Sequence, residues 1–193
     1  TDAVGEKGYR QIDINLGCPF PMIAGKHKGA GMLLYPAQVA EVLAPIAEYP
    51  EIQFSLKMRL GWENASECMV LVELLNTLRL SRIALHARTG KQQYKGHPDL
   101  EAFQGFYELC QHPLYYNGGI ESLSDIRQIL IRFPLLKGVF IGRGLLSSPL
   151  LAKEFKGNET FLPEQRMSIY FAFHEELFSA YSQVLQGETQ LLV

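Results

Sequence analysis

Five short apolar runs divide most of this chain, and each stops at residues suited to chemistry. Ile12 to Leu16 leads into Gly17-Cys18-Pro19. Ile52 to Lys57 leads into Arg59. Arg82 to Ala87 carries His86 and leads into Arg88. Leu114 to Tyr116 leads into Asn117-Gly118-Gly119, and Gly138 to Ile141 into Gly142-Arg143-Gly144. Helical patterns separate the runs. Pro36 can open a helix whose Val39, Val42, Leu43 and Ile46 recur at helical spacing, with Pro45 kinking or ending it. Ser66 is a candidate cap for a helix burying Val70, Leu71, Leu74, Leu75 and Leu78, and Asp99 for one carrying Phe103, Phe106, Tyr107 and Cys110. Ser122 with Asp125 has the spacing of a capping box. Strands alternating with helices predict a parallel α/β sheet, and parallel strands bring their ends to one face.

Two parallel architectures fit this alternation. An open doubly wound sheet wants Gly-x-Gly-x-x-Gly after its first strand, and that motif is missing here. The glycine-rich turns follow the last two runs instead. In a (β/α)₈ barrel the phosphate site is often built by the loops after strands seven and eight. On that reading the first run is the fourth strand of eight. A whole barrel typically takes about 250 residues, against 193 here. The expected fold class is therefore α/β, a partial (β/α)₈ barrel of about strands four to eight over residues 1–155. Residues 156–193 are expected to begin a helical domain. Pro163 opens its amphipathic helix, with Ile169, Phe173, Leu177, Tyr181 and Val184 on one side. The chain begins at Thr1 rather than Met, as an excised or processed piece would.

Composition narrows the function classes. The net charge of −2 argues against a protein that coats nucleic acid indiscriminately, but it allows a local basic patch. Cys18, Cys68 and Cys110 are too dispersed for a disulfide framework or a zinc site, so the expected compartment is the cytoplasm, with no metal. No apolar run is long enough to span a bilayer, so no membrane association is expected.

The strand-end residues each admit a bland and a chemical reading. Cys18 is either a small packed residue or a thiol that donates a proton; a nucleophilic role needs a base such as His27 or His86. Lys57 and Arg59, on one strand face, form ion pairs at an exposed end or hold an anion or electron-rich ring in a barrel mouth. A Schiff-base lysine at Lys57, as in barrel aldolases, is a third reading, ranked last. His86 and Arg88 precede a loop carrying Lys91, Gln92, Gln93, Tyr94 and Lys95; Lys26, His27 and Lys28 follow Cys18. Cations beside aromatic rings suit phosphates and an unpaired base, so Lys26, Lys28, Arg59, Arg88, Lys91 and Tyr94 are candidate substrate-binding residues for an RNA. The backbone amides of Asn117-Gly118-Gly119 and Gly142-Arg143-Gly144, each before a helix, suit a cofactor phosphate.

Several motifs occur in a specific order. They are Asn15-Leu16-Gly17-Cys18-Pro19, Gly29-Ala30-Gly31-Met32-Leu33-Leu34, Lys57-Met58-Arg59-Leu60-Gly61-Trp62, and His86-Ala87-Arg88-Thr89 with Gln93-Tyr94-Lys95-Gly96. Asn117-Gly118-Gly119-Ile120 and Ile141-Gly142-Arg143-Gly144 follow. With these motifs the chain resembles the tRNA-dihydrouridine synthase family from about Ile12 to Leu151. The resemblance implies an FMN-containing barrel that uses NADPH to reduce particular uridines in tRNA to 5,6-dihydrouridine. Hydride goes to C6 of the uracil, and the position matching Cys18 protonates C5. Lys57 and His86 match flavin-contacting positions. Asn117, Gly118, Gly119, Gly142 and Arg143 match the phosphate loops. Arg59 and Arg88 fall where the family contacts uracil or the flavin surroundings.

Relative to the family, the first strands are absent, the helical domain is short, and Thr89-Gly90-Lys91 stands where many relatives carry a further arginine. Two other classes fit the same residues. One is an FMN barrel reductase of a small dihydroorotate- or dihydropyrimidine-type substrate; the other is a non-catalytic flavin- or RNA-binding module.

Overall fold

The computed structural model describes residues 8–182 and 184. The chain divides into two compact units, Thr1–Gly144 and Leu145–Val193. The first is a five-stranded sheet of β1 (Gln11–Leu16), β2 (Gln53–Gly61), β3 (Leu80–Thr89), β4 (Leu114–Asn117) and β5 (Gly138–Phe140). All four pairings are parallel, and the spatial order is the chain order. A doubly wound sheet reverses its order at a switch point. Strands that neighbour one another in strict succession, with helices between, are instead a run of (β/α)₈ barrel units. The first unit is a partial barrel, as the glycine turns predict.

β2 and β3 show how sequence sets the two faces. Phe54, Leu56, Met58 and Leu60 alternate with Ser55, Lys57, Arg59 and Gly61. The register pairs Leu56 with Ile83 and Met58 with Leu85 on one face, and Arg59 with His86 on the other. Successive residues of a strand point to opposite faces, so one face is apolar and the other carries the chemistry. Phe54, Leu56, Met58, Leu60, Ile83 and Leu85 are all buried. The helices that cover the sheet include α4 (Glu67–Thr77), packed against β2, and α5 (Leu100–Leu109), packed against β3. Leu71, Leu75, Phe103 and Phe106 are among their buried residues. Phe103 meets Tyr116 and Phe133 edge-on, each with ring centres 5.0 Å apart, the geometry aromatic quadrupoles favour.

Helix starts follow the sequence with one exception. Asp99 accepts from the Ala102 amide, and Ser122 with Asp125 closes a full capping box on α6 (Leu123–Arg132). Ser66 makes no side-chain cap. The carboxylate of Glu67 takes that place, accepting from the Trp62, Glu63 and Asn64 amides at 2.6, 3.1 and 2.8 Å. Pro45 splits the predicted helix into α2 (Pro36–Leu43) and α3 (Pro45–Glu48), because a proline ring clashes with the preceding turn. The segment after Cys18 holds the short helix α1 (Pro21–Ala24) and a 3₁₀ segment, Gly29–Leu34. β2 and β3 run past their predicted ends to Gly61 and Thr89, so Arg59 and Arg88 lie within strands.

A short helix, α7 (Arg143–Ser147), leads on from β5. In the second unit, α8 (Leu151–Gly157) precedes α9 (Pro163–Ser182). The Glu154 side chain is buried and pairs with Arg166. No residue of α9 is buried, so the inward face expected from Ile169, Phe173, Leu177 and Tyr181 finds no core among the described residues. Val184 lies beyond the helix and is exposed.

Candidate functional site at the strand ends

The C-terminal ends of the strands enclose a cavity of about 420 Å³, lined from all five. The register explains the convergence. Arg59 pairs with His86, His86 with Asn117, and Asn117 with Phe140, so these residues form one row across four strands. Asn15 pairs with Lys57 one step away.

The cysteine turn is held on three sides. The Gly17 amide donates to Asn15 Oδ1 at 2.9 Å, and the Cys18 carbonyl accepts from the Ala30 amide at 3.0 Å. Gly29, at φ +55°, presses on Cys18; a Cβ there would lie 2.8 Å from both Cys18 Cβ and its carbonyl oxygen. A side chain at that position would displace the thiol-bearing residue. Cys18 itself is half-buried and lines the cavity.

Lys57 reaches Gly17, with Nζ 3.5 Å from where a Cβ on that glycine would stand. Burial, reinforced by Arg59, lowers the pKa of its ammonium, while Asp13 and Cys18 oppose the shift. Arg88 is buried too. Its Nη2 donates to the Gly96 carbonyl at 2.9 Å, and its Nη1 lies 3.2 Å from His86 Nε2. A guanidinium can only donate, so His86 accepts at Nε2 and carries its proton on Nδ1. Burial and then the charges of Arg59, Lys57, Arg88 and Arg143 push the His86 pKa down to about 3. The imidazole is therefore neutral in the folded protein. Arg88 Nε is buried without a hydrogen-bond partner among the described residues.

The last two strands supply backbone. Asn117 Nδ2 donates to the Phe140 carbonyl at 2.8 Å and ties the two strand ends together. Gly118, at φ +129°, lies against His86, and a Cβ there would come within 3.1 Å of the ring. Gly142 faces open space; a Cβ there would meet nothing within 4 Å. Arg143 stands 4.9 Å from the centre of the Tyr94 ring, which covers one side of the cavity. Among the described residues, Lys57, Arg59, Arg88 and Arg143 face a single lining acid, Glu121. This charge balance suits an anion.

The family model described as dihydrouridine synthase matches residues 2–189. The chain belongs to the dihydrouridine synthase family. It is 28% identical to tRNA-dihydrouridine synthase B of Vibrio vulnificus over 163 residues, covering 82% of this chain and 50% of that protein. It is 32% identical over 145 residues to a probable tRNA-dihydrouridine synthase of Rhizobium leguminosarum bv. phaseoli, covering 75% and 45%. With tRNA-dihydrouridine synthase B of Pseudomonas aeruginosa the identity is 29% over 150 residues, covering 77% and 45%. The chain spans about half the length of the curated relatives it matches.

In this member of the family the cavity gathers Cys18, Lys57, Arg59, His86, Arg88, Tyr94, Asn117, Gly118, Gly119, Gly142 and Arg143. It does not gather Lys26, Lys28 or Lys91. Lys26 and Lys28 are exposed just after the short helix α1. Lys91 is ion-paired with Glu63 at 2.5 Å. Asn15, Phe20, Glu121 and Phe140 also line the cavity, and sequence reasoning missed them. Asn15 had a signal, since it lies two residues before Gly17 on a strand; Glu121 had none. No group of three metal-ligating side chains occurs among the described residues, and no helix among them is long and apolar enough to cross a membrane.

The neutral His86 gives a pH dependence. Its folded pKa lies below the ordinary value near 6.5, so between pH 6.5 and about 3 the unfolded chain binds a proton that the folded chain does not. Stability contributed by His86 is complete above pH 6.5 and falls with pH below it, by up to about 1.4 kcal/mol per pH unit. Urea denaturation of the protein and of His86→Asn at about pH 7.5 and about pH 5 is expected to show a smaller acid-induced loss in the variant.

Proposed function

We propose that this chain is the catalytic part of a cytoplasmic enzyme that reduces particular uridines of tRNA to 5,6-dihydrouridine with FMN and NADPH. The observation that carries the reading is the meeting of a thiol, a cationic lining and two glycine turns around one cavity at the C-terminal ends of parallel strands. That end of a barrel is where active sites form. Membership of the dihydrouridine synthase family supports the reaction class.

The residues fit FMN on observations of this structure. The open face at Gly142 and the positive φ of Gly118 leave room for backbone amides to approach a phosphate, and Arg143 adds charge. The buried Nε of Arg88, partnerless among the described residues, is a donor suited to an acceptor on the ring system. Lys57 and neutral His86 would hold the polar edge of that ring system. Bound there, FMN supplies hydride chemistry to uracil, replenished by NADPH.

The protein's own work is positioning and one proton. Cys18 would donate its thiol proton to uracil C5. Asn15, through Gly17, fixes the turn that presents the thiol. Lys57 and Arg88 would draw the polar uracil edge or the flavin into the cavity, and Tyr94 would offer a ring face to a base. Lys26, Lys28 and Lys91, outside the cavity, would meet tRNA phosphates, and residues 156–193 would begin a helical tRNA-binding domain.

An FMN titration of the full-length protein tests the site, read by flavin fluorescence and visible absorbance. Saturable binding, weakened at least about tenfold in Arg143→Ala, is the expected result. An Arg143→Ala variant that binds like the unaltered protein would remove the Arg143 side chain from cofactor binding.

A further inference from the structure

Arg59 is 1% exposed, and no carboxylate pairs with it among the described residues. A buried cation without an anion is costly, and this one is compensated by backbone carbonyls together with the Tyr94 side chain. Its Nε donates to the Gly17 carbonyl at 3.0 Å, in the peptide that leads into Cys18. Its Nη1 donates to the Thr89 carbonyl at 2.8 Å and the Gln93 carbonyl at 2.7 Å, at the two ends of the turn that leads into Tyr94.

We propose that Arg59 is a positioning residue that joins the loop carrying Cys18 to the loop carrying Tyr94. The planar fork of a guanidinium can serve acceptors in divergent directions at once, and an ammonium on a flexible stem cannot hold the same set. Arg59 adds to the hold on the Tyr94 loop at its far end, where Arg88 donates to the Gly96 carbonyl and the Gln92 side chain to the His97 carbonyl. The loop's first half is tied to β2 and the residue after it by Gly90 N–H to the Gly61 carbonyl at 2.8 Å and Lys91 N–H to the Trp62 carbonyl at 2.9 Å. Gln93 sits beyond those ties at φ +52°, a left-handed conformation that a non-glycine residue keeps only when its surroundings hold it there. The guanidinium also lies 5.4 Å from the centre of the Tyr94 ring. Arg59 thus ties the turn bearing a thiol to the turn bearing an aromatic ring of the cavity wall. Its role differs from the direct contact with uracil or the flavin surroundings that its motif suggests.

The inference rests on the reading of Cys18 as proton donor, but its test does not depend on activity alone. Arg59→Met and Arg59→Lys are compared with the unaltered, FMN-loaded, full-length protein. Three quantities are read: iodoacetamide alkylation of Cys18 by peptide mass, amide exchange of residues 16–18 and 92–95, and single-turnover reduction of tRNA uridine. In Arg59→Met, exchange is expected to rise in both loops together, alkylation to change at least about threefold, and uridine reduction to slow at least about tenfold. Arg59→Lys is expected to restore protection in one loop but not both.

Unchanged exchange and alkylation with lost uridine reduction would overturn the proposal and make Arg59 a substrate ligand. Full restoration by Arg59→Lys would overturn it too, since charge alone would then suffice. If Arg59→Met does not fold, the exchange pattern of Arg59→Lys decides: unchanged protection in both loops contradicts the proposal. If the unaltered protein reduces no uridine, the functional reading fails, while exchange and alkylation still decide the role of Arg59.

Discussion

Replacing Cys18 by alanine is expected to slow uridine reduction by about 10²–10⁴-fold while leaving FMN affinity within about threefold of the unaltered protein. The size follows from the loss of a positioned proton donor. The selectivity follows from geometry. The Cys18 backbone is fixed by the Ala30 amide and by the close approach of Gly29, neither of which needs the sulfur. The end of the cavity proposed to take the phosphate is built from β4 and β5, at the opposite edge of the sheet from β1. Alanine therefore removes the proton and little else. Single-turnover reduction of tRNA uridine, beside a flavin titration, checks both halves. Unchanged turnover would take Cys18 out of the chemistry.

The second large effect is expected at Gly118. Valine there must adopt φ +129°, which a β-branched residue avoids, at a cost of about 1–3 kcal/mol. Its Cβ would also stand 3.1 Å from His86 Cδ2 and 3.3 Å from Nε2. The ring would have to move from its bond with Arg88, disturbing two residues of the cavity wall at once. Flavin affinity is expected to fall by more than about tenfold. Gly105→Ala is the matched control. Gly105 lies within α5, where a Cβ would make ordinary contact with Met69 at 3.7 Å, and affinity there is expected to hold. Equal affinity in Gly118→Val and the control would contradict the cradle.

Much of the architecture was legible because parallel α/β sequence is periodic. Apolar runs set the strands, and Asp99 and Ser122 set two helix starts by caps that the structure contains. The strand ends marked the site because parallel strands share one end, which places Cys18, Lys57, His86 and Asn117 around one cavity. What was not legible depends on contacts far apart in sequence. Arg59 alternates with Lys57 and reads as a second mouth cation. Only the folded positions of Gly17, Thr89 and Gln93 show that its donors are taken by backbone. Lys91 reads as a cation of the loop after β3, and only the fold shows Glu63 paired with it. Glu67 displaces Ser66 as the helix-start partner because a carboxylate can reach three amides of the preceding turn, which a short hydroxyl cannot. In α9 the helical spacing is real, yet a periodic apolar face buries itself only when another element lies against it, and none of its residues is buried.

The proposed work of this cavity is to reduce a uridine in tRNA with a cysteine proton. The most direct measurement incubates the FMN-loaded, full-length protein with NADPH and unmodified tRNA, then reads nucleosides by mass spectrometry. A gain of two hydrogens on uridine, dependent on tRNA and lost in Cys18→Ala, is the predicted result. No such gain in a protein that binds FMN and oxidises NADPH would contradict it, and would point the same cavity toward a small reducible substrate.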